Sequence, residues 1–123
     1  MLQEKDICCS GPKKMLILAC AGGSNVGQIS NSLMIELDKR GVGNAYCLAG
    51  IGGDLSGFVE TAKAADLIVI DGCPAGCAKN VLKRHGITPN NYYIVTQLGI
   101  EKNHNFDRII EETEKVLTKI LTA

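Results

Sequence analysis

Asp66-Leu-Ile-Val-Ile-Asp-Gly-Cys-Pro-Ala-Gly-Cys77 runs from a stretch suited to a strand into a turn that carries two cysteines. The branched residues of 66–71 favour a pleated, buried surface. Pro74 suits the first position of a helix, where a missing N–H has no partner to lose. A helix is therefore expected from Pro74 through Cys77, Ala78, Val81, Leu82 and His85. Gly86 would end it, and Pro89 would prevent its return.

The same alternation repeats on both sides. Met15-Leu-Ile-Leu-Ala-Cys-Ala21 is a short, continuous apolar run, as a parallel strand buried on both faces requires. Gly22-Gly23-Ser24-Asn25 follows as a loop with a helix cap. Val26, Ile29, Leu33 and Leu37 then recur at helical spacing up to Gly41. Residues 44–48 read as a second strand, and Leu55, Phe58, Val59 and Ala62 as a short second helix. Residues 92–97 read as a fourth strand. Asn105 is expected to cap a last helix with the stripe Phe106, Ile109, Ile110, Leu117, Ile120 and Leu121. Strands alternating with helices imply right-handed crossovers and a parallel sheet covered on both faces. The expected fold is a three-layer, Rossmann-like α/β domain with about four parallel strands. The order 2-1-3-4 is expected because it buries the two most apolar strands centrally. Residues 1–14 read as a polar tail or lead-in, and 15–123 as one domain.

Composition narrows the function. Lys plus Arg and Asp plus Glu are both 13 in 123 residues, so the formal charge is zero. Nonspecific nucleic-acid binding needs an excess of cations, and so does a polybasic membrane anchor. Aromatic residues are 4% with no Trp, which disfavours a base-stacking platform. No stretch approaches the ~20 apolar residues of a membrane span. The first apolar run is too short and too far from the start for a signal peptide. A cytoplasmic location is expected, where thiols stay reduced and clustered cysteines signal metal or redox chemistry.

Six cysteines are present. In open parallel sheets, ligands bind beyond the carboxyl ends of the strands. The strands above bring Cys20, Cys47, Cys73 and Cys77 to that edge from three separate stretches. Four thiolates suit one tetrahedral zinc ion or an iron–sulfur cluster. A metal-free alternative makes Cys73 the nucleophile of thiol redox or persulfide transfer, with Cys77 or Cys20 resolving it. At Cys47 a core role is equally open. Cys8 and Cys9 are either incidental to a polar tail or a tail-borne addition to the site.

Gly22, Gly23, Ser24 and Asn25 can turn backbone N–H groups and polar side chains towards a thiolate or a small thiol or anion ligand. They can equally be a tight connection, with Gln28 and Asn31 beyond them on the helix. Asp71 can support a metal site from behind, carry a proton, or cap the following helix; Asp54 could do similar work. His85, two turns past Cys77, cannot reach the same metal, and His104 is expected at the surface. A Cys-x5-Arg phosphatase loop would need Arg where Val26 stands, and a P-loop would need Lys after Gly27, where Gln28 stands.

Three motifs in order then carry a family resemblance. They are Cys20-Ala-Gly-Gly-Ser-Asn-Val-Gly-Gln-Ile-Ser-Asn31, Cys47-Leu-Ala-Gly-Ile-Gly-Gly53 and Asp71-Gly-Cys-Pro-Ala-Gly-Cys-Ala-Lys79. With them the chain resembles the DGC-domain family, named after its Asp-Gly-Cys signature. The resemblance implies zinc as cofactor, one ion per chain, with Cys20, Cys47, Cys73 and Cys77 as its ligands. It supplies no activity.

Overall fold

The structure is a computed structural model that describes residues 13–122. Cys8 and Cys9, and most of the expected tail, lie outside the described residues. The elements run β1 (Met15–Ala19), α1 (Asn25–Lys39), β2 (Asn44–Ala45), α2 (Leu48–Gly52), α3 (Ser56–Lys63), β3 (Asp66–Asp71), α4 (Cys77–Arg84) and β4 (Asn91–Ile94). A 3-10 turn (Val95–Leu98) and α5 (Ile109–Thr122) complete the chain. The four strands form one parallel sheet in the order β2-β1-β3-β4, as expected.

The central strands are apolar at nearly every position, and their period of two divides them between two cores. Ile17, Ala19, Ile68 and Ile70 face Val26, Ile29, Leu33 and Leu37 of α1 and Val116 and Leu117 of α5. Leu16, Leu18, Leu67 and Val69 face Ile51, Val59, Ala62, Ala78 and Leu82 on α2, α3 and α4. Three layers result. Ser24 caps α1, its hydroxyl accepting from the Gly27 N–H at 3.2 Å.

Four expected boundaries shift. The second strand is only Asn44–Ala45. It is an edge strand paired at Leu16 and Ile17 alone, and beyond it Ile51 reaches the core as part of a helix. The short helix expected through Leu55, Phe58, Val59 and Ala62 is α3, and α2 forms in addition where a glycine turn was expected. The helix expected from Pro74 begins at Cys77, because Gly76 takes a left-handed φ of 67° and turns the chain just before it. Cys73 is therefore in a loop, not one helical turn from Cys77. The fourth strand ends at Ile94 and tightens into the 3-10 turn. The last helix begins at Ile109, not beside Asn105, whose side chain instead accepts the Asp107 N–H at 2.9 Å. Its stripe is correspondingly narrower. Phe106, Ile110 and Leu121 are exposed, and Thr113, Val116 and Leu117 are buried.

Candidate functional site

The site lies beyond the carboxyl ends of β1 and β3. Strand order reverses there: the chain leaves β1 for β2 on one side and returns to β3 on the other, which opens a crevice. A cavity of about 460 Å³ fills it. Cys20, Cys73 and Cys77 line this cavity together with Lys102 and His104. All four described cysteines are free thiols. Cys20 and Cys73 are half-buried, and Cys47 and Cys77 are exposed.

Two loops are pressed together to make the crevice. A side-chain carbon at Gly72 would stand 2.7 Å from the Val26 backbone, and one at Gly27 would stand 2.7 Å from Gly22. Only hydrogen fits at either place. The close approach lets the Gly72 N–H donate to the Cys20 sulfur at 3.2 Å. Ser30 Oγ lies 3.1 Å from the same sulfur. The middle residue of the Asp-Gly-Cys signature thus docks the β3 loop onto the first turn of α1.

Asp71 is 1% exposed. Its carboxylate accepts the N–H groups of Ala78 at 2.8 Å and Lys79 at 3.1 Å, and the Tyr92 hydroxyl at 2.7 Å. It caps α4 from six residues ahead of that helix, across the loop that holds Cys73. A buried carboxylate with three donors is satisfied. Burial, and then the bond to Asp71, push the Tyr92 phenol well above its ordinary range. Lys79 covers the Tyr92 ring with its ammonium 5.2 Å from the centroid.

Cys73 has a different neighbour. The Lys102 ammonium lies 3.5 Å from its sulfur. The loop that carries Lys102 is fastened by Asn25, which is fully buried. The Asn25 side chain donates to the Glu101 carbonyl at 2.8 Å and accepts the Asn103 N–H at 2.6 Å. Its own N–H donates to the Asn103 carbonyl at 2.9 Å. Residues on both sides of Lys102 are thus fastened to the start of α1.

Of the residues singled out in the sequence, Cys20, Cys73, Cys77, Gly22, Gly23, Ser24 and Asp71 line the cavity. Asn25 does not, and clamps the Lys102 loop instead. Gln28 donates to the Gly22 carbonyl at 2.9 Å and closes the glycine turn. Cys47 lines a neighbouring cavity, with Asn31. Asp54 pairs with Arg84 and lies 3.0 Å from His85 Nε2, away from the crevice. Lys102, Tyr92 and Ser30 were not singled out by sequence reasoning. Lys102 carries no spacing signal, because it lies 29 positions beyond Cys73 in a loop that only the Asn25 clamp locates.

Among the described residues, no three Cys, His, Asp or Glu side chains are grouped closely enough to share a metal ion. Cys47 stands in the next cavity, and Asp71 is already committed to three donors. A four-sulfur site is therefore not assembled in this arrangement.

The DGC domain family matches residues 16–120, and the chain belongs to that family. It is also similar to the anaerobic and virulence modulator AnvM of Pseudomonas aeruginosa strain PAO1. The two are 32% identical over 106 residues, which span 85% of this chain and 81% of the relative. No solved structure matches. Among the described residues no helix is long and apolar enough to cross a membrane.

Proposed function

We propose that this DGC-domain protein is a cytoplasmic thiol-based regulatory protein in which Cys73 exchanges with low-molecular-weight disulfides or persulfides. The observation that carries the reading is the Lys102 ammonium, 3.5 Å from the Cys73 sulfur, in a cavity shared with two more thiols. A cation at that position is the counter-ion for a thiolate and for an anionic sulfur compound. The Cys73 sulfur attacks one sulfur of the incoming S–S bond. That bond breaks, one thiol leaves with a proton, and a mixed disulfide forms on Cys73. Cys77 or Cys20 then attacks the Cys73 sulfur and releases the second thiol. The substrate disulfide is reduced to two thiols, and the protein is oxidised to an internal disulfide. With a persulfide donor, Cys73 attacks the outer sulfur, the donor leaves as a thiol, and Cys73 carries the persulfide. The relative is named as an anaerobic modulator, and a thiol pair that follows oxidant level suits modulation. The partners in this reading are small sulfur compounds, neither nucleic acid nor membrane.

The test uses the reduced full chain with oxidised glutathione as probe, and maps adducts by mass spectrometry. The expected result is a first adduct on Cys73, followed by an internal disulfide that includes it. Adducts on the exposed Cys47 and Cys77 with Cys73 silent would overturn the reading.

A second reading, zinc held by Cys20, Cys47, Cys73 and Cys77, is favoured by the three of these thiols that share one cavity. It requires the Cys47 turn to move into the crevice, since those donors do not converge as they stand. An iron–sulfur cluster would make the same demand. No step of the thiol chemistry passes through a metal.

A further inference from the structure

A second cavity, of about 450 Å³, adjoins the thiol cavity at the edge of the sheet. Ala21 and Leu48 line both and form the partition between them. The two differ in chemistry. The first carries Lys102, His104 and Asp71. The second has no charged side chain in its wall, which includes Met34, Tyr46, Cys47 and Val81. Met34 comes from the α1 layer and Val81 from the α4 layer, so the cavity opens between the two helical layers. Either volume suits part of a small ligand.

We propose that the second cavity is the subsite for an apolar arm of the sulfur compound that reacts at Cys73. The inference rests on the thiol reading above. The substrate class it assigns is a disulfide or persulfide with an alkyl or aryl group of several carbons. The reacting sulfur sits beside Lys102, and the arm passes the Ala21–Leu48 partition. A wholly polar disulfide would leave the second cavity unused, and its apolar wall would favour no part of such a molecule. Leu48 is half-buried on the five-residue helix α2, and so is a specificity-determining residue.

The test is a chain-length series of alkyl methanethiosulfonates on the reduced full chain carrying Cys47→Ser, which removes the thiol in the second cavity. In each reaction the Cys73 sulfur attacks the sulfenyl sulfur, methanesulfinate leaves, and an alkyl disulfide forms. The rate at Cys73 is read by peptide mapping. The hexyl reagent is expected to react at least about tenfold faster than the methyl reagent, since each fully buried methylene is worth about fourfold in equilibrium. Ala49→Trp, at an exposed position in the wall, is expected to fill the cavity and bring the two rates together. Equal methyl and hexyl rates at a Cys73 that outpaces Cys77 would overturn the apolar subsite and leave the thiol reading standing. A Cys73 slower than Cys77 with every reagent would overturn both. The series on the protein without Ala49→Trp decides the matter even if that variant folds poorly.

Discussion

Of the three cysteine-bearing turns at the carboxyl edge of the sheet, those after β3 and β2 are built differently. The turn after β3 starts from Asp71, whose buried carboxylate reaches over the loop to cap α4 and also takes the Tyr92 hydroxyl. The turn after β2 starts from Cys47, which caps α2 with no side-chain bond. The first turn is fastened at both ends and holds Cys73 beside Lys102. The second leaves Cys47 exposed over an apolar cavity. Similar sequence patterns, a cysteine among glycines after a strand, thus give one thiol in a fixed, charged setting and one in a neutral setting. A buried acceptor with three donors makes the difference, and a glycine-rich turn alone does not.

The largest effect should come from removing that acceptor. Asp71→Ala leaves the buried Ala78 N–H, the partly buried Lys79 N–H and a phenol unpaired, and should cost about 3 kcal/mol in urea unfolding. Cys47→Ser, at an exposed position, should cost less than about 0.5 kcal/mol. Similar costs for the two would break the contrast. The glycines sharpen it next. Gly72→Ala would force a carbon to within 2.7 Å of the α1 backbone and should cost about 1–3 kcal/mol. Gly52→Ala meets nothing nearer than Val81 at 3.8 Å, and should be neutral or stabilising by up to about 1 kcal/mol.

A smaller effect is expected on reactivity. Lys102→Met should slow the reaction of Cys73 with an anionic disulfide about threefold to fivefold, as befits an exposed charge pair. Added salt should narrow the difference between the two proteins. Asn25→Ala should act in the same direction by freeing the loop. If its adduct rate equals that of the unaltered chain, Asn25 does not position Lys102. The smallest effect concerns pH. The native state keeps the raised Tyr92 proton, whereas the unfolded chain releases it above about pH 10. The contribution is therefore full below that pH and falls as pH rises through and beyond it. Tyr92→Phe should flatten this slope, read as urea midpoints from about pH 9 to pH 11.

Much of the fold was legible because the central strands are apolar at almost every residue, which only a doubly covered parallel sheet accommodates. The same two strands, 15–19 and 66–71, made the order 2-1-3-4 readable. Boundaries at the carboxyl edge were less legible. Pro74 suggests a helix start, but Gly76 in a left-handed conformation and a cap from Asp71 move it to Cys77. Neither effect has a fixed spacing that a sequence displays. Cys47 reads as the end of a strand because residues 44–48 look like one. An edge with a single neighbour can stop pairing after two residues, and there it does. Three cavity thiols and Asp71 could be found from strand ends. Lys102 could not, since a fold-dependent hydrogen-bond clamp places it.

Cys73 beside Lys102 is proposed as a free, reacting thiol. Its most direct test is the metal content of the full chain purified without oxygen or affinity tag, with each thiol followed against oxidised glutathione before and after chelation. The expected result is that Cys73 reacts first without a chelator, and that chelation leaves its rate unchanged. About one zinc per chain, with Cys20, Cys47, Cys73 and Cys77 all silent until the metal is removed, would contradict it.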